Sequence, residues 1–233
     1  MRELMRKAYA YVEQTLAENY SRHQTVISKT KSFIRYDRFY HIQRVTAWAE
    51  RICDELCNKN TVGTADRPDE TENSVFSFDK ECLLLASVLH DVGYNAYHIS
   101  KDHSEAGVVL AEQFLTAEGV EEGKKAKILD LIRLHSRKDL MFLEDTPLEL
   151  VVLMEADLMD DMGASGLVMD AWINTRMHQE ETSFDTIFEH MQKYTQAQQQ
   201  AEPMRTEPAK RFWREKQELV QEFMRQFSRD LNM

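Results

Sequence analysis

Two adjacent residues, His90 and Asp91, close the apolar run Cys82-Leu-Leu-Leu-Ala-Ser-Val-Leu89. A neighbouring imidazole and carboxylate offer a nitrogen and an oxygen to one divalent cation, and a buried helix end would fix both. The pair alone is common by chance. Its weight comes from His41 upstream, in His41-Ile-Gln-Arg44-Val45, and Asp157 downstream, in Glu155-Ala-Asp157. The ordered set His41, His90, Asp91 and Asp157 makes a four-ligand site of mixed nitrogen and oxygen donors, suited to Mn, Fe, Ni, Co or Mg. An ion held this way lowers the pKa of a bound water toward neutrality and polarises a phosphoryl oxygen. Two neutral imidazoles and two carboxylates leave the loaded site roughly neutral, which is compatible with an anionic substrate. Asp160, one turn beyond Asp157, either orients a ligand or a water from behind or is a solvated helix acid.

Phosphates need positive partners. Arg44, Lys101, Arg133, Arg137 and Lys138 are the cations nearest these residues in the chain. Lys101, in the linker after the His-Asp pair, is the first phosphate candidate, and Arg137 and Lys138 follow it. Arg44 sits one turn from His41, so it points at substrate or braces an acid such as Asp157 or Glu155. Glu105 is a general acid or base, or the cap of its own helix. His98 lies in the linker within reach of a pocket. His23, His178 and His190 stand outside any partnered motif. Cys53 and Cys57 share a helix face at i,i+4 and read as small core residues rather than ligands.

The elements that must position these groups are helical almost throughout. Val45, Trp48, Ala49, Ile52, Cys53 and Leu56 form one apolar stripe at helical period. Asp79 is a natural N-cap for a helix reaching His90, with Gly93 free to take a left-handed cap. Asp102 or Ser104 opens the next helix, which Gly119 ends. Residues 121–135 form another, and Pro147 opens a helix over 148–157. Gly163 and Gly166 mark the turn into a helix over 167–179, and 184–199 is helical. Pro203 and Pro208 bracket a break before a closing helix over 211–231, with Phe212, Leu219, Phe223 and Phe227 on or near one stripe. Residues 59–78 mix Gly63, Pro68 and many acids and read as an exposed loop insertion. No strand pattern and no repeat is visible.

Composition narrows the classes. The chain of 233 residues is 42% apolar and 30% charged, a globular balance, and only 7 Gly and 4 Pro favour long helices. A net charge of -11 argues against a nucleic-acid polymer as partner but not against nucleotides. Three cysteines fit a reducing compartment better than a disulfide framework. No apolar run approaches a membrane span, and the start Met-Arg-Glu-Leu-Met-Arg-Lys lacks a signal core, so the expected location is the cytoplasm. Nothing resembles a nucleophile elbow, a Walker loop or a dinucleotide fingerprint.

The ligand set and its surroundings resemble the HD-domain superfamily of metal-dependent phosphohydrolases. Asp37-Arg-Phe-Tyr-His41-Ile-Gln-Arg44-Val45 is similar to the family's Asp-x-x-x-His-x-x-Arg-Val opening. His103-Ser-Glu-Ala-Gly107 resembles its His-x-x-x-Gly helix start, and Ile132-Arg-Leu-His135-Ser136 its histidine-bearing helix end. The segment from Glu155 to Gly166 and the tail from Met204 are similar to a bacterial subgroup related to nucleotide pyrophosphohydrolases. The resemblance runs from about residue 22 to the C-terminus. Two departures stand out: Tyr36 where many relatives carry histidine, and Glu155 in place of the first Asp of Asp-Ala-Asp.

The resemblance implies one all-α HD-domain helical bundle over 1–233, with a metal-site core over 22–160. A long C-terminal helix belongs to residues 161–233, which pack on that core. It implies one or two divalent ions, with Asp91 the catalytic residue closest to the nucleophilic water. His103 and His135 either hold a second metal or face substrate. The expected partner is a small phosphorylated substrate, a nucleotide, with cleavage of a nucleoside triphosphate to monophosphate and pyrophosphate. A homodimer is allowed. A non-catalytic metal-binding regulatory module and a di-iron oxygenase on the same fold are the alternatives.

Overall fold

The computed structural model describes residues 1–24, 32–62, 78–197 and 202–231. Every regular element among the described residues is helical, as the low glycine and proline content and the pervasive 3.6-residue period require. None of these helices is long and apolar enough to cross a membrane. The chain divides into two compact units, residues 1–156 and 157–233.

The first unit contains α1 (Arg2–Gln24), α2 (Ser32–Val62), α3 (Lys80–Leu89), α4 (His103–Ala117) and α5 (Glu122–Leu134). A 3-10 turn (Lys138–Phe142) leads on to most of α6 (Leu148–Asp160), in which the boundary between units falls. At the centre is α3, whose residues 82–89 are all buried. A helix apolar on every side must be surrounded, and α3 packs against α1, α2 and α5. Leu83, Leu85 and Leu89 are buried almost completely, each contributing roughly 1.5–3 kcal/mol relative to an exposed position. The Asp79 side chain accepts from the Cys82 N–H, the N-cap expected from sequence. α2 turns Val45, Ala49, Ile52 and Cys53 inward.

The second unit holds the last residues of α6, then α7 (Ala164–His178), α8 (Phe184–Met191) and α9 (Glu207–Leu231). A π-helical turn (Gln192–Gln196) follows α8, and α7, α8 and α9 pack on one another. The α9 core face is Phe212, Trp213, Val220 and Met224.

Several boundaries differ from the sequence reading. α2 runs on to Val62, because no helix breaker precedes Gly63. Residues 59–62 of the expected loop are therefore helical, and 63–77 lie outside the described residues. α9 begins at Glu207, with Pro208 in the first turn, where its missing N–H leaves no bond unmade. Leu219 and Phe223, expected inward, are 46% and 41% exposed, since the buried row through Val220 and Met224 is displaced by one position. α7 starts three residues early, at Ala164, α6 continues to Asp160, and α8 gives way to the π turn after Met191. Gly93 does not take a positive φ; among the described residues the glycines that do are Gly119 and Gly163.

The role of Gly93 is steric. A Cβ there would lie 2.2 Å from the His103 carbonyl oxygen and 2.3 Å from the Gly107 nitrogen. Only hydrogen fits between the turn after Asp91 and the first turn of α4. That approach brings the two halves of the site together.

Candidate metal centre

His41 lies on α2, His90 and Asp91 close α3, His103 opens α4 and His135 closes α5. Local chemistry sets each position. Asp102 caps α4 by accepting from the N–H groups of Ser104 and Glu105, which fixes His103 as the first helical residue. His90 and His135 both sit one residue past a helix end and turn Nδ1 back onto it. His90 Nδ1 is 2.8 Å from the Ser87 carbonyl oxygen, and His135 Nδ1 is 2.6 Å from that of Ile132. A carbonyl can only accept, so in both rings Nδ1 carries a proton and Nε2 is the nitrogen left to face Asp91. Metal-binding histidines are commonly oriented by such outer contacts.

The Asp91 carboxylate, 2% exposed, is the hub. Its Oδ2 lies 3.5 Å from His41 Nε2 and 3.6 Å from His90 Nε2, and those two nitrogens are 3.4 Å apart. Its Oδ1 lies 3.5 Å from His103 Nε2 and 3.7 Å from His135 Nε2. One carboxylate thus joins two donor triangles, His41–His90–Asp91 and Asp91–His103–His135. Donors about 2.1 Å from a shared ion stand roughly 3.0–3.4 Å from one another in octahedral or tetrahedral arrangements. The observed 3.4–3.6 Å in the first triangle fits an ion of that size.

Arg38 is the residue that sequence reasoning passed over. Its Nη1 donates to Asp91 Oδ2 at 2.6 Å, and its guanidinium lies 4.0 Å over the Tyr94 ring. Nε of Arg38 is buried with no hydrogen-bond partner among the described residues. The signal was available: Arg38 stands three residues before His41 and shares its helix face. Burial alone would raise the Asp91 pKa, but Arg38, then His90, His135 and His41, hold it well below the usual carboxylate range. Burial pulls the Arg38 guanidinium down, and Asp91 and Tyr94 more than reverse it, so its pKa is raised. His103 is lowered, mainly by burial and against the pull of Asp91.

The other candidates are placed as follows. Asp157 is half-buried near the end of α6, two residues beyond the fully buried Glu155, and Asp160 is buried at the helix end. Arg44 is half-buried on α2. Lys101 is exposed in the linker after the His-Asp turn. Arg137 forms a two-pronged pair with Asp139 at 2.9 and 2.8 Å, and Lys138 donates to the His135 carbonyl oxygen. Glu105 is exposed 3.7 Å from Arg133 and does not cap its helix; Asp102 does. His98 meets Arg22 at 3.1 Å. Cys53 and Cys57 do share a face, their sulfurs 4.0 Å apart, with Cys53 buried. Ser136 contributes an unanticipated polar link, its Oγ 3.3 Å from both His103 Nε2 and His135 Nε2.

The HD domain family model matches residues 38–162, which contain every residue of both triangles. This chain belongs to the HD domain family. Solved structures from several bacteria share its fold. A Bacillus thuringiensis HD-superfamily hydrolase superposes with a TM-score of 0.66 at 18% identity, over 99% of this chain and 98% of that one. A predicted HD-superfamily hydrolase from an uncultured Thermotogales bacterium gives 0.55 at 18% identity, covering 94% and 91%. Bacillus subtilis YpgQ, solved with ADP, gives 0.57 at 16% identity, covering 97% and 96%. No curated protein matches significantly. Family membership makes this protein a metal-dependent hydrolase of all-α architecture.

Proposed function

We propose that this HD-domain protein is a metal-dependent phosphohydrolase whose substrate is a nucleotide, cut to monophosphate and pyrophosphate when a triphosphate is supplied. The observation that carries the reading is the Asp91 carboxylate, with two imidazoles facing each of its oxygens. His41, His90 and Asp91 would hold one ion. Asp157 is the fourth ligand on the strength of the ordered sequence motif. His103 and His135 would hold a second ion on the other oxygen of Asp91. When bound, such ions supply an activated water and neutralise charge on the attacking and leaving oxygens of an in-line displacement.

The chain's own groups do the remaining work. Asp91 stays ionised because Arg38 and the surrounding imidazoles outweigh its burial. Arg38 fixes that carboxylate through its Nη1 bond to Oδ2. Lys101, Arg44 and Arg137 are the further phosphate contacts, and Asp160 orients the ligand set from behind. Support for a nucleotide comes from the subgroup's motifs in residues 155–166, from the bound ADP of YpgQ, and from an acidic net charge that disfavours polymers. Three free cysteines fit a cytoplasmic setting.

The test is product analysis with Mn and a pool of ribo- and deoxyribonucleotides, using Asp91→Ala as the blank. Monophosphate and pyrophosphate formed only by the native protein are expected. Turnover equal to native in Asp91→Ala would overturn the site. Elemental analysis should find two ions per native chain and one in His103→Ala/His135→Ala; two ions in that variant would remove the second centre.

A further inference from the structure

A cleft of about 470 Å³ opens in the first unit between α1, the linker after the His-Asp turn, and α4, and no residue of the donor triangles lines it. Its volume falls within the range typical of small-molecule sites, roughly 300–1,000 Å³. One wall is an α1 row from Tyr11 through Glu18 and Asn19 to Arg22, which at 1.5 Å per residue extends about 16 Å. Facing it are His98 and Ile99 from the linker and Val109 and Gln113 from α4.

The polar groups are graded along this length. At one end Arg22 Nη1 lies 3.1 Å from His98 Nε2. Arginine can only donate, so this contact makes His98 Nε2 the acceptor and leaves its proton on Nδ1. In the middle are Glu18 and Asn19. Asn19 is 3% exposed, and its Nδ2 faces the carbonyl oxygens of Val92 and Tyr94, each at 3.4 Å. Two carbonyls fix the amide orientation, so Oδ1 is the acceptor and is turned away from them. At the other end, Tyr11 is locked by its bond to the Leu110 carbonyl oxygen and by its stacking on Phe114. There Val109, 41% exposed, supplies an apolar surface beside Gln113.

We propose that this cleft binds a nucleoside monophosphate, with its phosphate at Arg22 and His98, its ribose hydroxyls at Glu18 and Asn19, and its base on Val109 beside Gln113. Arginine matches phosphate geometry, and an acidic side chain is a common partner of ribose hydroxyls. An amide next to an exposed aliphatic surface suits a flat, hydrogen-bonding base. The assignment stands on the cleft's own groups rather than on the reaction proposed above. Through Asn19 it borders the turn that carries Tyr94, on whose ring Arg38 rests.

Calorimetric titration with AMP in the presence of EDTA, using His41→Ala protein so that neither donor triangle is loaded, tests the proposal. One AMP per chain is expected. Adding Val109→Trp, which fills the cleft from an exposed position, should abolish binding, and adding Arg22→Ala should weaken it at least tenfold. Circular dichroism checks that each variant is folded, and Val109→Phe replaces the tryptophan variant if that one is not. Adenosine and inorganic phosphate, titrated separately, should each bind at least tenfold more weakly than AMP. Absence of AMP binding to His41→Ala protein overturns the proposal. So does undiminished binding after the cleft is filled, or inorganic phosphate binding as tightly as AMP. Nucleotide turnover by the native protein is scored independently, so either reading can fail without the other.

Discussion

Replacing Gly93 with alanine tests the idea that close backbone approach assembles the site. The added Cβ would lie 2.2 Å from the His103 carbonyl oxygen and 2.8 Å from the Ala106 carbonyl carbon, both backbone atoms that cannot rotate away. Reaching ordinary contact at 3.4 Å opens the turn from α4 by about 1.2 Å. Overpacking of this kind costs roughly 2–3 kcal/mol, which in a chain of this size lowers Tm by about 5–10 °C. The displacement also parts Asp91 from His103, and a 1 Å misplacement of reacting groups costs on the order of 100-fold in rate. Gly107→Ala is the matched control. Its new Cβ would meet the His90 carbonyl oxygen and Ile132 Cγ2 at 3.4 Å, which is ordinary contact. A helix gains about 1 kcal/mol from alanine over glycine, so Gly107→Ala should melt at or slightly above the native temperature. Thermal denaturation and turnover of an activated phosphodiester with Mn would be measured for both. Equal melting temperatures and rates for the two variants would refute the steric argument.

Removing the hub carboxylate should affect stability as well as turnover. Asp91→Ala leaves Arg38 half-buried and without its carboxylate, which should cost about 1–3 kcal/mol. Adding Arg38→Met should restore much of that without restoring activity, and a double variant no more stable than Asp91→Ala would argue against the pairing. The pH dependence follows from the lowered Asp91 pKa. Its stabilisation is present above the unfolded carboxylate pKa of about 3.9 and is lost as pH falls from there toward the lower native value. The stability gap between native protein and Asp91→Asn should be flat above about pH 5 and narrow by about 1.4 kcal/mol per pH unit below pH 3.9. A pH-independent gap in denaturant titrations would contradict it. Burial pushes the Cys53 and Cys82 thiols up to about 12 each, while Cys57 is exposed. A thiol reagent at pH 8 should therefore titrate one cysteine quickly in the folded protein and three after denaturation, and three fast equivalents in the folded protein would be inconsistent with this packing.

The helical architecture was legible in the sequence because period, caps and breakers are local properties. Asp79, Asp102 and Pro147 announced helix starts that the structure contains, and the stripe from Val45 to Cys53 is the buried face of α2. His41, His90, Asp91, His103 and His135 could be named because each belongs to a recognisable motif on or beside a helix. The sequence could not say which Asp91 oxygen would face which pair of imidazoles. That depends on how four helices, distant in the chain, meet at a single residue. Arg38 was hidden for the same reason. An arginine one turn from a histidine has many possible partners, and only packing brought it to Asp91 and Tyr94. Gly93 was read as a turn former because its local context allows that. Its actual role comes from α4, further along the chain, which presses backbone against backbone where no side chain fits.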